Sequence, residues 1–264
     1  MGNLREQLEE EAGKKYDNPK RARPGREQNW PLLSDPRGVV VVIRGGVSYM
    51  YDPTLKALEK ALYSRLELDV VPFNYLGRQA GHPYDTRENI DLLRDFKGQP
   101  ETLVGRLEEY VADIESQERW KDKPHLIAGH SMGGILCAKW GVAANGNLAR
   151  IDRCVYLATP FDSPDGLFTV KSESVSAFNI EIPTFARHDL GKCCSNALVV
   201  RAEADGIFDG PKETSLSLNV ATEQCPADVE QPFKDVDHFS ICRDDKVIDH
   251  IVQTLGALVG PPTT

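Results

Sequence analysis

Apolar positions recur along this chain in two alternating rhythms. Gly38-Val39-Val40-Val41-Val42-Ile43 is a continuous β-branched run, the pattern of a strand buried on both faces of a parallel sheet. After Pro53, the leucines 55, 58, 62 and 66 fall at helical spacing and predict one apolar helix face. Val70-Val71-Pro72-Phe73 predicts the next strand, and Leu103, Leu107, Val111 and Ile114 predict the face of a second helix. Pro124-His125-Leu126-Ile127-Ala128 predicts a short buried strand, and Met132 to Val142 a helix whose first turn carries small residues. Val247, Ile248, Ile251, Val252, Leu255 and Leu258 mark a C-terminal helix. Strands alternating with helices predict an α/β chain with a mostly parallel central sheet and helices on both faces.

Two stretches break the rhythm. Tyr75 to Pro100 is rich in Gly, Arg, Asp and Asn, and Phe161 to Asn196 carries Phe168, Phe178, Ile182 and Phe185 in irregular surroundings. Long loops of this kind in a compact domain are commonly functional. The first 30 residues differ again: Leu4 to Glu11 predicts a short acidic helix, and Lys20-Arg21-Ala22-Arg23-Pro24-Gly25-Arg26 a basic linker. A basic cluster can bind phosphates or a carrier domain but is more often a solvated connector, which is the expectation here. The division is therefore 1–30, extension and linker, and 31–264, one α/β domain, with no internal repeat.

Composition narrows the field modestly. At 264 residues, 41% hydrophobic and 27% charged, the chain has ample material for one large core. Its net charge of −9 argues against nucleic acid or an anionic membrane surface as the main partner. No apolar run reaches the length of a membrane span and no secretory h-region opens the chain. Met1-Gly2-Asn3-Leu4-Arg5-Glu6 begins like a myristoylation site, but Glu6 stands where Ser or Thr is needed. Six irregularly spaced cysteines point to reduced thiols, so a cytoplasmic location is expected. Cys137 and Cys154 read as core fillers. The adjacent Cys193 and Cys194 lack a second ligand cluster nearby, and no metal or other cofactor is expected.

The chemistry concentrates at Gly129-His130-Ser131-Met132-Gly133. A serine at a strand-to-helix turn takes a strained conformation that holds its Oγ clear of the backbone, and glycines two before and two after it let neighbouring backbone pack closely. The helix N-terminus beside it offers N–H groups and a positive dipole end to a developing oxyanion. Together with Arg44-Gly45-Gly46-Val47 after the first strand, this block resembles the α/β-hydrolase family, in particular its small lipase-like and esterase-like serine hydrolases. Members usually carry His-Gly after that strand; here Arg44 replaces the His. The resemblance implies oxyanion donors at Met132 and Gly46, with Val47 as the fallback.

The likeness extends further. Val155-Tyr156-Leu157-Ala158-Thr159-Pro160 is similar to the Gly-Thr-Pro-ended strand of many lipases, with Ala158 in place of Gly. Ala197 to Ile207 resembles the strand and turn that present the family's acid, at Asp205, and Val236-Asp237-His238-Phe239 the loop of its histidine. The order Ser131, Asp205, His238 is the one this fold uses. The resemblance spans roughly residues 38 to 259 and implies an α/β-hydrolase fold with a small lid at 161–196. Phe168, Phe178 and Phe185 of that lid would then line an acyl pocket with Val47 and His130, whose side chain would turn toward the strand-turn packing. Closure of the core beneath the loop is the competing role for these aromatics.

Competing residues exist for each role. His82, His125, His188 and His250 fall in loops, at a strand start or on the last helix. Asp209 and Asp162 are alternative acids, and Asp205 before Gly206 could be a turn residue alone. The expected reaction is cleavage of a carboxylic ester or thioester through Ser131, His238 and Asp205 and an acyl-enzyme. The alternatives are a biosynthetic thioesterase or acyltransferase working on a carrier-bound acyl chain, which the Asp237-to-Ser240 block somewhat resembles, and a non-catalytic hydrolase-fold receptor or scaffold. The expected partner is a small acyl ester or thioester, with a carrier protein as a candidate, no nucleic acid and no integral membrane segment.

Overall fold

The computed structural model describes residues 30–45, 53–73, 100–143, 151–159, 167–169, 181–183, 197–203, 228–229 and 233–260. Its strands are β1 (Gly38–Ile43), β2 (Leu68–Pro72), β3 (His125–His130), β4 (Arg153–Leu157), β5 (Leu167–Thr169), β6 (Glu181–Pro183), β7 (Ala197–Val200) and β8 (Asp228–Val229). Six of them form one sheet in the order β2-β1-β3-β4-β7-β8, and every neighbouring pair runs parallel. The helices are α1 (Lys56–Leu66), α2 (Pro100–Glu115), α3 (Met132–Ala143) and α4 (Asp245–Val259).

Strand order and handedness place the helices. The step from β1 to β2 goes one way along the sheet, and the step from β2 over β1 to β3 goes back. Right-handed crossovers therefore put α1 on one face and α2 and α3 on the other. On the first face Val40, Val42, Leu126, Ala128, Val155, Leu157, Leu198 and Val200 pack with Leu58, Leu62 and Leu66 of α1 and Val247, Ile251 and Leu255 of α4. Strand residues of the opposite parity, Val39, Val41, Ile127, Tyr156 and Val199, are equally buried, as side-chain alternation requires when both faces are covered. Ile135, Leu136 and Trp140 of α3 and Leu107 and Val111 of α2 are buried as well, and the Trp140 indole N–H donates to Glu108 across the pair. Each such large apolar side chain contributes about 1.5–3 kcal/mol.

Local chemistry sets the helix ends. Asp244 caps α4, its carboxylate accepting from the amides of Lys246 (3.0 Å) and Val247 (3.2 Å). Glu67 ends α1 in the left-handed region at φ 54°.

Several elements differ from the sequence reading. β2 begins at Leu68, two residues before the apolar run, because its second residue Asp69 is charged yet fully buried. β4 closes at Leu157, where Ala158 turns to φ 43°. Within the stretch from Phe161 to Asn196, β5 pairs antiparallel with β6, with Phe168 and Ile182 in register. Leu258, placed by periodicity on the apolar face of α4, is exposed in its last turn. The expected helix at Leu4 to Glu11, the basic linker, most of the Tyr75–Pro100 stretch, Cys193 and Cys194 lie outside the described residues.

Candidate active site

The C-terminal ends of β1, β3 and β4 meet at one residue. After the extended strand β3, Ser131 turns to φ 54° and the chain enters α3 at once. The left-handed region costs an L-residue about 1–2 kcal/mol, and such residues persist where their surroundings over-determine them. Those surroundings are explicit here. The Ser131 amide donates to the Leu157 carbonyl at the end of β4 (2.9 Å), and the Ser131 carbonyl accepts from the amides of Gly134 (3.0 Å) and Ile135 (3.3 Å). The residue is 8% exposed.

Glycines make this crowding possible. A Cβ on Gly129 would lie 2.6 Å from Gly134 Cα, and one on Gly45 would lie 2.9 Å from Ser131 Cβ. A Cβ on Gly133 would overlap the Ile43 carbonyl oxygen, and one on Gly134 the Thr159 hydroxyl. Thr159 reaches that point because Ala158, where the lipase-like strand end has Gly, adopts a left-handed φ while its amide donates to the Val200 carbonyl (3.0 Å).

His238 approaches from a turn before α4 and is 3% exposed. The turn closes on itself: Asp237 Oδ1 accepts from the amides of Phe239 (2.8 Å) and Ser240 (2.6 Å), and Ser240 Oγ accepts from the Asp237 amide (2.8 Å). Burial pushes the Asp237 carboxyl up, but the Ser240 and Phe239 amides, the Ser240 hydroxyl and the Arg243 charge outweigh it and hold the group below its ordinary value. Asp237 thus serves the turn. His130 Nε2 lies 2.8 Å from the His238 carbonyl oxygen, so Nε2 carries the hydrogen of that bond. The two imidazoles stand with centroids 4.8 Å apart. Phe239, 49% exposed, meets the His238 ring edge-on at 5.2 Å.

Two further features border the site. Arg44, at the exit of β1, forms a buried ion pair with Glu59 of α1, and the Trp30 indole N–H reaches the same carboxylate (3.4 Å). Beyond β7, Ala202 pairs in parallel with Phe233, and the Glu203 amide donates to the Phe233 carbonyl (3.1 Å). Residues 201–203 therefore run beside Phe233, at the start of the segment that carries His238.

Of the residues singled out from the sequence, His130 and His238 are in contact, and Ser131 follows His130 directly in the chain. Met132 is the first residue of α3, and Phe168 lies on β5. Gly46, Val47, Asp205, Phe178 and Phe185 lie outside the described residues. Phe239 and the Arg44–Glu59 pair escaped the sequence reading; only the position of Phe239 beside His238 could have flagged it. Among the described residues no group of three or more His, Cys, Asp or Glu is arranged to hold a metal ion, and no helix is long and apolar enough to cross a membrane.

A family model described as the alpha/beta hydrolase family matches residues 40–263. No curated protein matches the chain. Among solved structures, a thermostable carboxyl esterase from Bacillus coagulans is similar at 12% identity and TM-score 0.61, over 88% of this chain and 93% of that one. A fungal esterase from Rhizomucor miehei is similar at 18% identity and TM-score 0.58, over 90% of this chain and 78% of that one. The dienelactone hydrolase of Anabaena variabilis is similar at 16% identity and TM-score 0.57, over 86% and 87%.

Proposed function

We propose that this chain, which belongs to the alpha/beta hydrolase family, cleaves a carboxylic ester or thioester with Ser131 as nucleophile and His238 as general base. The observation that carries the reading is the left-handed Ser131 between β3 and α3, with the His238 turn hydrogen-bonded to the residue beside it. A left-handed serine at the ends of parallel strands, one residue from a histidine bonded to a buried imidazole-bearing turn, is the geometry a nucleophile needs and packing alone does not.

In the proposed sequence Ser131 Oγ attacks the acyl carbon as its proton passes to His238. The oxyanion is stabilised by backbone amides at Met132 and Gly46, each such donor being worth about 3 kcal/mol. His238 then hands its proton to the leaving oxygen or sulfur, leaving an acyl group on Ser131. Water, deprotonated by His238, attacks that ester and releases the acid. Asp205 orients the imidazole and stabilises its cationic form without taking the proton; the parallel approach of residues 202 and 233 supports this assignment. The antiparallel β5–β6 pair supports a cap at 161–196, whose aromatics would contact the acyl chain.

The test exposes purified protein to a fluorophosphonate and to p-nitrophenyl esters and acyl thioesters of graded chain length. Covalent labelling at Ser131, lost in a folded Ser131→Ala variant, is expected, with turnover falling by about 10⁴-fold in Asp205→Asn. Undiminished labelling of Ser131→Ala, or an inert folded wild type, overturns the reading, and the second outcome favours a scaffold. The rate pattern across esters and thioesters separates an esterase from a thioesterase.

A further inference from the structure

We propose that His130 is a positioning residue that fixes the His238 turn against Ser131, an inference that rests on the serine-hydrolase reading above. The His130 ring is 3% exposed, so it offers a substrate almost no surface. Its Nε2–H is committed to the His238 carbonyl at 2.8 Å. Its Nδ1 edge lies against the exit of β1, where a Cβ on Gly45 would come within 3.2 Å of Nδ1. One imidazole therefore spans from the loop after β1 to the histidine turn, and its own backbone continues directly into the nucleophile.

The other bonds of the turn do different work. Asp237 and Ser240 exchange hydrogen bonds within it, which fixes its shape, and Ile241 and Cys242 bury its far side in the core. The bond from His130 ties the turn to the strand that carries Ser131. Proton transfer between Oγ and an imidazole is sensitive to that separation; a displacement of ~1 Å can cost ~10²-fold in rate. An alkyl side chain at position 130 would fill the space and leave the His238 carbonyl without this donor, whereas a glutamine would return an N–H near the place of Nε2.

The experiment compares His130→Leu and His130→Gln in the full chain, each alone and combined with His238→Ala. Expected for His130→Leu is a fall in kcat of about 10²-fold, with KM changed by no more than about threefold. His130→Gln should recover most of the loss. In the His238→Ala background His130→Leu should cost nothing further, because a residue that acts through His238 has nothing left to position. If the leucine variant does not fold, His130→Asn, whose amide is too short to reach the carbonyl, replaces it in the same comparison. An equal loss in both backgrounds, a loss confined to KM, or full activity of His130→Leu overturns the proposal while the serine-hydrolase reading stands. An inactive wild type removes that reading and this proposal with it.

Discussion

At the scale of the residue, the site's geometry is held at a cost that can be measured. Ser131 sits at φ 54°, a region glycine enters freely and a side-chain-bearing residue does not. Ser131→Gly and Ser131→Ala both delete the hydroxyl, but only the glycine relieves the backbone. After allowance for glycine's larger entropy in the unfolded chain, Ser131→Gly should be more stable than Ser131→Ala by up to about 1 kcal/mol. Both should be inert. Parallel denaturant titrations decide the point, and an alanine variant at least as stable as the glycine one would show that the turn is not strained. The tight turn at Ser131 was legible in the sequence because it demands glycines at fixed offsets, and Gly129 and Gly133 stand where side chains would strike Gly134 and Ile43. The bond made by His130 was not legible. Its acceptor is a main-chain carbonyl 108 positions away, and a carbonyl leaves no mark in residue type.

At the scale of the element, burial on both faces writes itself into sequence as β-branched runs, and β1 could be bounded to the residue. β2 was harder, because Asp69 breaks its apolar run, and β5, β6 and β8 are three residues or fewer, too short for periodicity to register. The contact between β1 and α1 hid for another reason: Arg44 and Glu59 look like surface charges but are both about 3% exposed and paired. Removing one charge from such a pair strands the other in the interior, which typically costs about 3–5 kcal/mol. Glu59→Gln should lose stability on that order. Because Arg44 precedes Gly45, and its carbonyl oxygen is 2.6 Å from where a Gly133 Cβ would sit, turnover should fall as well. Replacing both members together (Arg44→Met with Glu59→Leu) should return most of the stability, since two apolar side chains leave no buried charge. Chemical denaturation of the single and double variants checks this; a double variant no more stable than Glu59→Gln would mean that the pair does more than neutralise itself.

At the scale of the whole molecule, the parallel sheet separates two kinds of work. Ser131, Gly45 and Thr159 stand where strands end, the side at which open α/β sheets bind ligands, while Asp69 stands near the start of β2. Its carboxylate, fully buried, accepts from the Leu33 amide (2.8 Å), Arg119 Nε (3.0 Å) and Nη2 (2.7 Å), and the Trp120 indole N–H (2.7 Å). Arg119 Nη2 also donates to the Leu33 carbonyl (2.7 Å). One side chain thus joins the segment entering the fold, the edge strand of the sheet and the turn after α2. Asp69→Asn keeps the shape and removes the charge that faces Arg119. It should destabilise the protein by about 3 kcal/mol, a fall in Tm of roughly 6–12 °C for a chain near this size. The bonds of the Ser131 amide and carbonyl and of the His238 carbonyl lie at the other end of the strands from those of Asp69, so the two effects should be separable. The folded fraction of Asp69→Asn should therefore keep the wild-type kcat/KM in the proposed reaction, unlike Glu59→Gln. Thermal unfolding together with kinetics well below Tm tests the division. A kcat/KM that falls in step with stability would mean that the edge strand and the site move as one unit, and that the two ends of the sheet are not independent.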